Sequence, residues 1–348
     1  MHFGAFAEFT FRDGAGAAQA FEQGFALARH CEDLGLHSVW LSEFHFMPDR
    51  SVLSSPVVTA AAIAAATRRI RIGLAVYVLP LANPLRTAEE IATLDQISGG
   101  RLDFGIGRSG FARAYDAYCV DYAQSQARFD EALEILKLAF AGERFSYDGR
   151  YYRVNDALLV PRPLQRPGPP MRMAASSTPT FDKVARTGLP LFVGLRGDGL
   201  EALAQNIRTY RRVWDEVGHE APSSVFLRVP VFAATSQREA LEQPRESIVH
   251  YFSRQARLSA GQGARSGQGD DNRARISAQL AALSYQDILD SRVCFGSPDA
   301  MVERLRHWQS ELGIDGVVME TNAGGMLSEA QELESIRLIA TEVMPALQ

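Results

Sequence analysis

The sequence predicts a closed parallel (β/α)8 TIM barrel, built as one domain over residues 1–348. Three features point there. Eight short apolar runs alternate with amphipathic stretches of helical spacing, as in a parallel sheet covered by helices. Several runs, IGLAVYVL and GVVM among them, are almost continuously apolar, as strands buried on both faces must be. A doubly wound dinucleotide fold would open its first helix with Gly-x-Gly-x-x-Gly; the nearest text here, GIGRSG at Gly105–Gly110, follows the fourth strand.

In chain order, the first strand is expected over His2–Glu8. A helix over Ala20–Gly35 then gathers Phe21, Phe25, Ala28 and Leu34 near one face and ends on Gly35 as a cap. The second strand covers Ser38–Leu41. The Ala-rich stretch 57–66, VVTAAAIAAA, reads as a helix that another helix can approach closely. The third strand, Ile70–Leu79, leads into a helix over Leu85–Ile97, and the fourth, Arg101–Gly107, into one over Gln126–Phe140. Residues 144–163 break the alternation: Asp148-Gly149 between aromatic-rich runs predicts a hairpin insertion. The fifth strand is Met171–Ala175 with a helix over Thr180–Thr187; the sixth is Leu191–Leu195 with a helix over Leu200–Val217. After a seventh strand, Val225–Ala233, residues 259–273 (SAGQGARSGQGDDNR) are rich in glycine and poor in apolar side chains. They read as a mobile loop, either a lid over the strands' C-terminal ends or a linker. Residues 292–296, RVCFG, can add a short strand. Ser297-Pro298 starts a helix over Pro298–Leu312. The eighth strand, Gly316–Met319, and a helix over Glu329–Val343 finish the chain.

Composition excludes several classes. Hydrophobic residues make up 46% and charged residues 22%, the balance of a globular protein rather than a disordered chain. With 36 Lys and Arg against 41 Asp and Glu, the net charge of -5 provides no footprint for nucleic acid or an anionic membrane. No apolar run is long enough to span a bilayer. Cys31, Cys119 and Cys294 are odd in number and far apart, which reads as free thiols in a reducing cytoplasm. The seven histidines show no metal-ligand spacing, so no metal is expected, and no GxSxG elbow supports a serine hydrolase.

The chemistry is sought at the strand ends, where barrel enzymes carry it. After the second strand comes Ser42-Glu43-Phe44-His45-Phe46. The carboxylate and imidazole between aromatics suit acid–base work, although a lone His in such a place, here His45, is more often a hydrogen-bonded structural residue. After the fourth strand, Gly107-Arg108-Ser109-Gly110 combines small residues that let a ligand approach the backbone with a guanidinium fork. After the fifth, Ser176-Ser177-Thr178-Pro179-Thr180 enters a helix, where hydroxyls and first-turn N–H groups suit an anion. On neighbouring strands the last two segments make one phosphate pocket, and so imply a phosphorylated cofactor.

At these residues the chain resembles the bacterial luciferase-like family of flavin-dependent monooxygenases, nearly end to end. The likeness is carried by LGLHSVWLSEFHF at 34–46, the long block IGLAVYVLPLANPLRTAEEIATLDQISGGRLDFGIGRSG at 72–110, GSPDAMVERL at 296–305 and IATEVMPAL at 339–347. The resemblance implies a dimeric barrel that binds FMN at the strands' C-terminal ends. It implies reduced FMN supplied by a separate flavin reductase, and dioxygen used through a flavin hydroperoxide to oxygenate a small organic substrate. Arg108 matches the family's phosphate arginine, and Ser177 and Thr180 its phosphate hydroxyls. Ser176 stands where luciferases carry a glutamate. Ala75-Val76 falls at a cis peptide beneath the flavin, Phe111 at an aromatic beside it, and 259–273 at the lid. Phe6, Phe44, Phe46 and Phe111 are expected to keep the ring dry. One departure stands out: luciferases have Glu-His-His-Phe after the second strand, and here Phe44 replaces the catalytic first His. His45 matches the second, which lies toward the subunit interface with a carboxylate corresponding to Glu89. His45 is therefore expected either as a catalytic group or as a dimer residue, and the Ala-rich helix as a dimer contact. Two other functions fit the same resemblance: a deazaflavin-dependent hydride-transfer oxidoreductase, and a non-catalytic flavin-binding partner subunit.

Overall fold

The computed structural model describes residues 1–11, 16–195, 199–263 and 270–348, with the side chains of 260–263, 270–273 and 276 outside the description. The chain opens with β1 (His2–Ala7), α1 (Ala17–Asp33), β2 (Ser38–Leu41) and α2 (Pro56–Ala66). It continues through β3 (Arg71–Val78), α3 (Pro84–Ser98), β4 (Leu102–Gly107), α4 (Ala112–Ala117) and α5 (Ser125–Ala141). A hairpin, β5 (Phe145–Asp148) and β6 (Arg153–Ala157), precedes β7 (Met171–Ala174), α6 (Thr178–Thr187), β8 (Leu191–Gly194), α7 (Leu200–Val217) and β9 (Val225–Ala233). The last third holds α8 (Gln237–Glu242), α9 (Arg245–Gly263), α10 (Asp270–Ala281) and α11 (Tyr285–Ser291). It ends with β10 (Cys294–Gly296), α12 (Pro298–Leu312), β11 (Gly316–Glu320) and α13 (Glu329–Leu338).

Strands β9, β11, β1, β2, β3, β4, β7 and β8 neighbour one another in that order, and β8 pairs back onto β9. Closure leaves this ring of eight parallel strands no free edge. These are the eight apolar runs expected from periodicity. The extra strand also forms: β10 lies beside the end of β9, from Cys294 opposite Val231 to Gly296 opposite Ala233. The hairpin insertion is present, with Asp148 as the last paired residue opposite Arg153. Glu131 on α5 secures its turn by accepting the N–H groups of Arg150, Tyr151 and Tyr152 at 2.9, 3.0 and 3.2 Å.

The segment expected as a lid loop is different where it is described. Helix α9 runs on to Gly263 and α10 begins at Asp270, so the loop expected from 259 is helical at both ends, while residues 264–269 lie outside the described residues. Glycine costs a helix only about 1 kcal/mol per residue. Packing of α10 along α9, with Ser277 donating to the Ala256 carbonyl at 2.8 Å, offsets it. Helices α4, α8 and α11 are short and were hidden by weak periodicity. At the C-terminus α13 gives way to a π turn over Ile339–Val343.

Inside the barrel, Phe6, Trp40, Ala75, Phe192, Phe226 and Val318 form their own apolar cluster. Trp40 lies across the centre because its neighbours have no side chains. A Cβ on Gly73 would stand 2.1 Å from the indole, and one on Gly4 2.8 Å from it. The Trp40 indole N–H donates to Ser38 Oγ at 2.7 Å, and that hydroxyl lies 2.7 Å from His2 Nε2. Because Ser38 accepts from Trp40, its own proton points to His2, which suits a neutral imidazole. Below lie a two-point Arg71–Asp103 pair (2.7 and 3.0 Å) and Arg172, whose guanidinium sits 3.5 Å over the Phe226 ring.

Burial, assisted by His37 and Arg172, lowers His2 from 6.5 to about 3. The unfolded chain takes up this proton as pH falls below 6.5 while the folded chain refuses it. The stability contribution is therefore complete above pH 6.5 and declines as pH drops toward 3. His2→Gln should flatten that decline. Urea midpoints compared at about pH 7 and pH 4.5 check it, and an unchanged pH dependence in the variant would exclude His2 as the source.

Candidate functional site

The end of β2 sends its side chains to two sides. Phe44 is buried, with the Arg50 guanidinium 3.9 Å over its ring and Phe111 edge-on at 6.0 Å. His45 turns the other way. Its Nε2 lies 2.7 Å from Glu43 Oε1, and Tyr118 Oη lies 3.4 Å from its Nδ1. Glu43 Oε2 accepts the Val78 N–H at 2.9 Å, so one carboxylate orients the imidazole and ties the end of β2 to β3. Phe46 does not join the dry aromatic set. A left-handed backbone (φ 57°) throws it outward against Tyr118, and it is 50% exposed. Glu89 pairs within this chain with Arg86 at 3.4 Å, and the carboxylate at His45 is Glu43.

The side of the mouth formed by β3, β4, β7 and β8 presents little but backbone. The Ala75–Val76 peptide is cis, and the β3–β4 register slips between Leu74 and Tyr77. Gly107, which the sequence suggested for ligand approach, serves this irregularity: a Cβ there would stand 2.4 Å from Val76 Cγ2, as one on Gly105 would stand 2.0 Å from the Leu74 carbonyl oxygen. Strand alternation keeps Ala75, Ala174 and Gly194 as the inward residues nearest the rim, so this half is a side-chain-poor floor.

Beside that floor lie the residues expected to hold an anion. β4 and β7 pair with Ile106 opposite Met173, so Arg108 and Ala175 leave the barrel side by side. Arg108 is positioned from three directions: Nη1 donates to Ser125 Oγ at 3.1 Å, Tyr122 lies 5.6 Å from its guanidinium, and the Tyr115 hydroxyl donates to its carbonyl. Ser176 and Ser177 are exposed at the start of α6, and Ser177 Oγ lies 2.7 Å from Thr180 Oγ1. Ser177 is the N-cap residue, yet its hydroxyl caps no N–H. First-turn N–H groups, two hydroxyls and a guanidinium thus stand at adjoining strand ends, the kinds of group an anion draws on. Phe111 follows from the same loop, its N–H bonded to Ser109 Oγ at 3.2 Å.

Across the mouth lies an ionic cluster that sequence reasoning missed. Glu8 Oε1 accepts from Arg50 at 2.6 Å and from Arg228 at 3.0 Å; Arg228 also reaches Glu320 at 2.8 Å, and Tyr251 donates to Glu320 at 3.2 Å. Arg228 stacks 3.5 Å over Phe6. Burial alone would raise the Glu8 carboxyl, but Arg50 and Arg228 outweigh it and hold it at about 2. The available signal was a charged residue inside each of two apolar strand runs, HFGAFAE and VFLRVPVFA.

A family model described as luciferase-like monooxygenase matches residues 1–316. The chain is 30% identical over 319 residues to an uncharacterised protein, y4vJ, of Sinorhizobium fredii, covering 91% of this chain and 89% of that one. It is 24% identical over 343 residues to the oxygenase component of flavin-dependent trigonelline monooxygenase of Acinetobacter baylyi, covering 94% and 90%. Among solved structures, the oxygenating constituent of 3,6-diketocamphane monooxygenase of Pseudomonas putida, in complex with FMN, superimposes with a TM-score of 0.81 at 22% identity. It covers 99% of this chain and 98% of that one, a likeness of fold.

Removing the Glu43 carboxylate would leave the Val78 N–H without its acceptor. Glu43→Ala should cost about 1–3 kcal/mol of unfolding free energy and Glu43→Gln, which keeps an acceptor, distinctly less. Chemical denaturation of both variants measures the difference; equal losses would remove this hydrogen bond from the account.

Proposed function

The chain belongs to the luciferase-like monooxygenase family, and on that premise we propose that it is an FMN-dependent oxygenase component. It would take reduced FMN from a separate flavin reductase and use it with dioxygen to oxygenate a small organic substrate. The observation that carries this reading is the placement of Arg108 and the α6 N-terminus at adjoining strand ends, beside a floor of backbone and alanine at the cis peptide. A flavin mononucleotide needs both parts at once: a phosphate anchor and a flat, side-chain-free bed next to it.

In this reading Arg108, Ser177 and Thr180 hold the phosphate, with Ser176 beside them. Ala75 and Val76 lie under the ring, and Phe111 and Phe44 flank it and keep water away, with Phe6 below. When bound, reduced FMN supplies two electrons, so that one atom of dioxygen enters the substrate and the other leaves as water. His45, backed by Glu43 and reached through Tyr118, would exchange protons between solvent and the mouth. Two copies would pair through α2, where Val58 is exposed, together with the outward Phe46 and Tyr118. A cytoplasmic location fits the free thiols.

Arg108→Ala should weaken FMN binding by about 1.5–3 kcal/mol, the loss of one charge-assisted contact. Quenching of flavin fluorescence reads the dissociation constant, and an unchanged value would take Arg108 out of the phosphate role. Anaerobic titration with reduced FMN, then mixing with oxygenated buffer, tests the whole reading. Oxygen consumption that depends on bound reduced FMN is the expected result. Deazaflavin binding without FMN binding would make the protein a hydride-transfer enzyme, and flavin binding without oxygen consumption a partner subunit.

A further inference from the structure

Two guanidinium groups across the mouth carry buried donors that nothing among the described residues accepts. Arg50 gives Nη2 to Glu8, while its Nε and Nη1 are buried without an acceptor. Arg254, on α9, gives Nη1 to the Asp49 carbonyl at 3.2 Å, while its Nε and Nη2 are likewise buried and unmatched. The nearest carboxylate oxygen to Arg254, Glu8 Oε2, is 4.0 Å from Nη2, beyond hydrogen-bond reach. Both arginines are more than nine-tenths buried. Buried donors of charged groups are seldom left unmatched, because each forfeits its hydration.

Apart from Glu8 Oε2, the carboxylate oxygens nearby are already engaged. Glu8 Oε1 serves Arg50 and Arg228, Glu320 serves Arg228 and Tyr251, and Glu332, the next carboxylate, faces Thr321. Arg50, Arg228 and Arg254 thus stand around Glu8 and Glu320. The open atoms of Arg254 are the two that form the side edge of a guanidinium, parallel donors that match the two oxygens of a carboxylate.

Position excludes a second phosphate contact for the same flavin. In the ring of eight strands β1 is diametrically opposite β7, and β11 opposite β4. Glu8 and Glu320 therefore stand opposite Ser176 and Arg108. Between the two sites lie Phe44, under Arg50, and Phe6, under Arg228.

We propose that Arg50 and Arg254 form the head-group site for an anionic substrate, a small organic carboxylate whose apolar body lies along Phe44 and Phe6. This rests on the oxygenase reading above and names its substrate class. The carboxylate accepts from the side edge of Arg254 and from one of the two unmatched donors of Arg50. Its carbon skeleton is then held between that anchor and the floor at Ala75.

The test uses the full chain saturated with FMN, with benzoate, phenylacetate and octanoate titrated calorimetrically against their neutral amides. At least one acid should bind ten-fold or more tightly than its amide. Arg254→Gln should bring that acid down to the amide's affinity while FMN affinity changes less than two-fold, and Arg254→Lys, which keeps charge without the fork, should fall between. Acids that bind no better than amides, or no acid binding across the panel, would overturn the proposal, as would undiminished acid binding by Arg254→Gln. A thermal melt of each variant separates loss of the site from loss of the fold. Failure of FMN binding with acid binding intact would instead remove the oxygenase reading and leave the carboxylate site standing.

Discussion

Trp40, wedged between two strands that carry glycine where it passes, is the contact on which the site depends. A barrel of eight strands encloses a packed core rather than a pore, so something must fill its axis. Here one indole does most of it, in the space left by Gly4 and Gly73, with Phe6, Phe192 and Phe226 around it. The plug is anchored below through Ser38 to His2, and it forms a rigid base for everything above. Chemistry is confined to the C-terminal rim because the interior beneath is full.

Above that base the mouth is divided. On β3, β4, β7 and β8 the inward positions are reduced to alanine and glycine, and the slipped register of β3 is accommodated by Gly105. On β1, β9 and β11 the inward positions are charged and locked to one another. An unpaired carboxylate there would be prohibitively costly, so Glu8 persists as an anion only because guanidiniums surround it. One half provides a flat bed; the other offers a rigid, polar wall with donors to spare.

The residue after Glu43 shows how the rim departs from a luciferase while the barrel does not. Phenylalanine at position 44 cannot shuttle protons; it supplies a face for Arg50 and an edge for Phe111. The imidazole at this strand end stands one residue along, in His45, held by Glu43 and reached by the exposed Tyr118. Family membership therefore carries over the fold, while the rim carries the side chains in which this chain differs.

Periodicity and apolar runs are properties of chain neighbours, and that is why all eight barrel strands, the hairpin and the helices packed on them were legible from residue order alone. The nearness of Arg108 to Ser177 along the rim was legible for the same reason, since both follow strands that a barrel must place side by side. Phe46 was misread because a single left-handed φ reverses the side a side chain takes, and alternation carries no trace of it. The glycine-rich stretch from 259 was misread at its ends because the packing of α9 and α10 outweighs local propensity. The ionic wall was beyond reach altogether. Glu8 and Arg228 stand 220 residues apart, and they meet only when the sheet closes through β11 and brings β9 back to β1. Ion pairing depends on distance in space, which the closed ring sets and the order of residues does not.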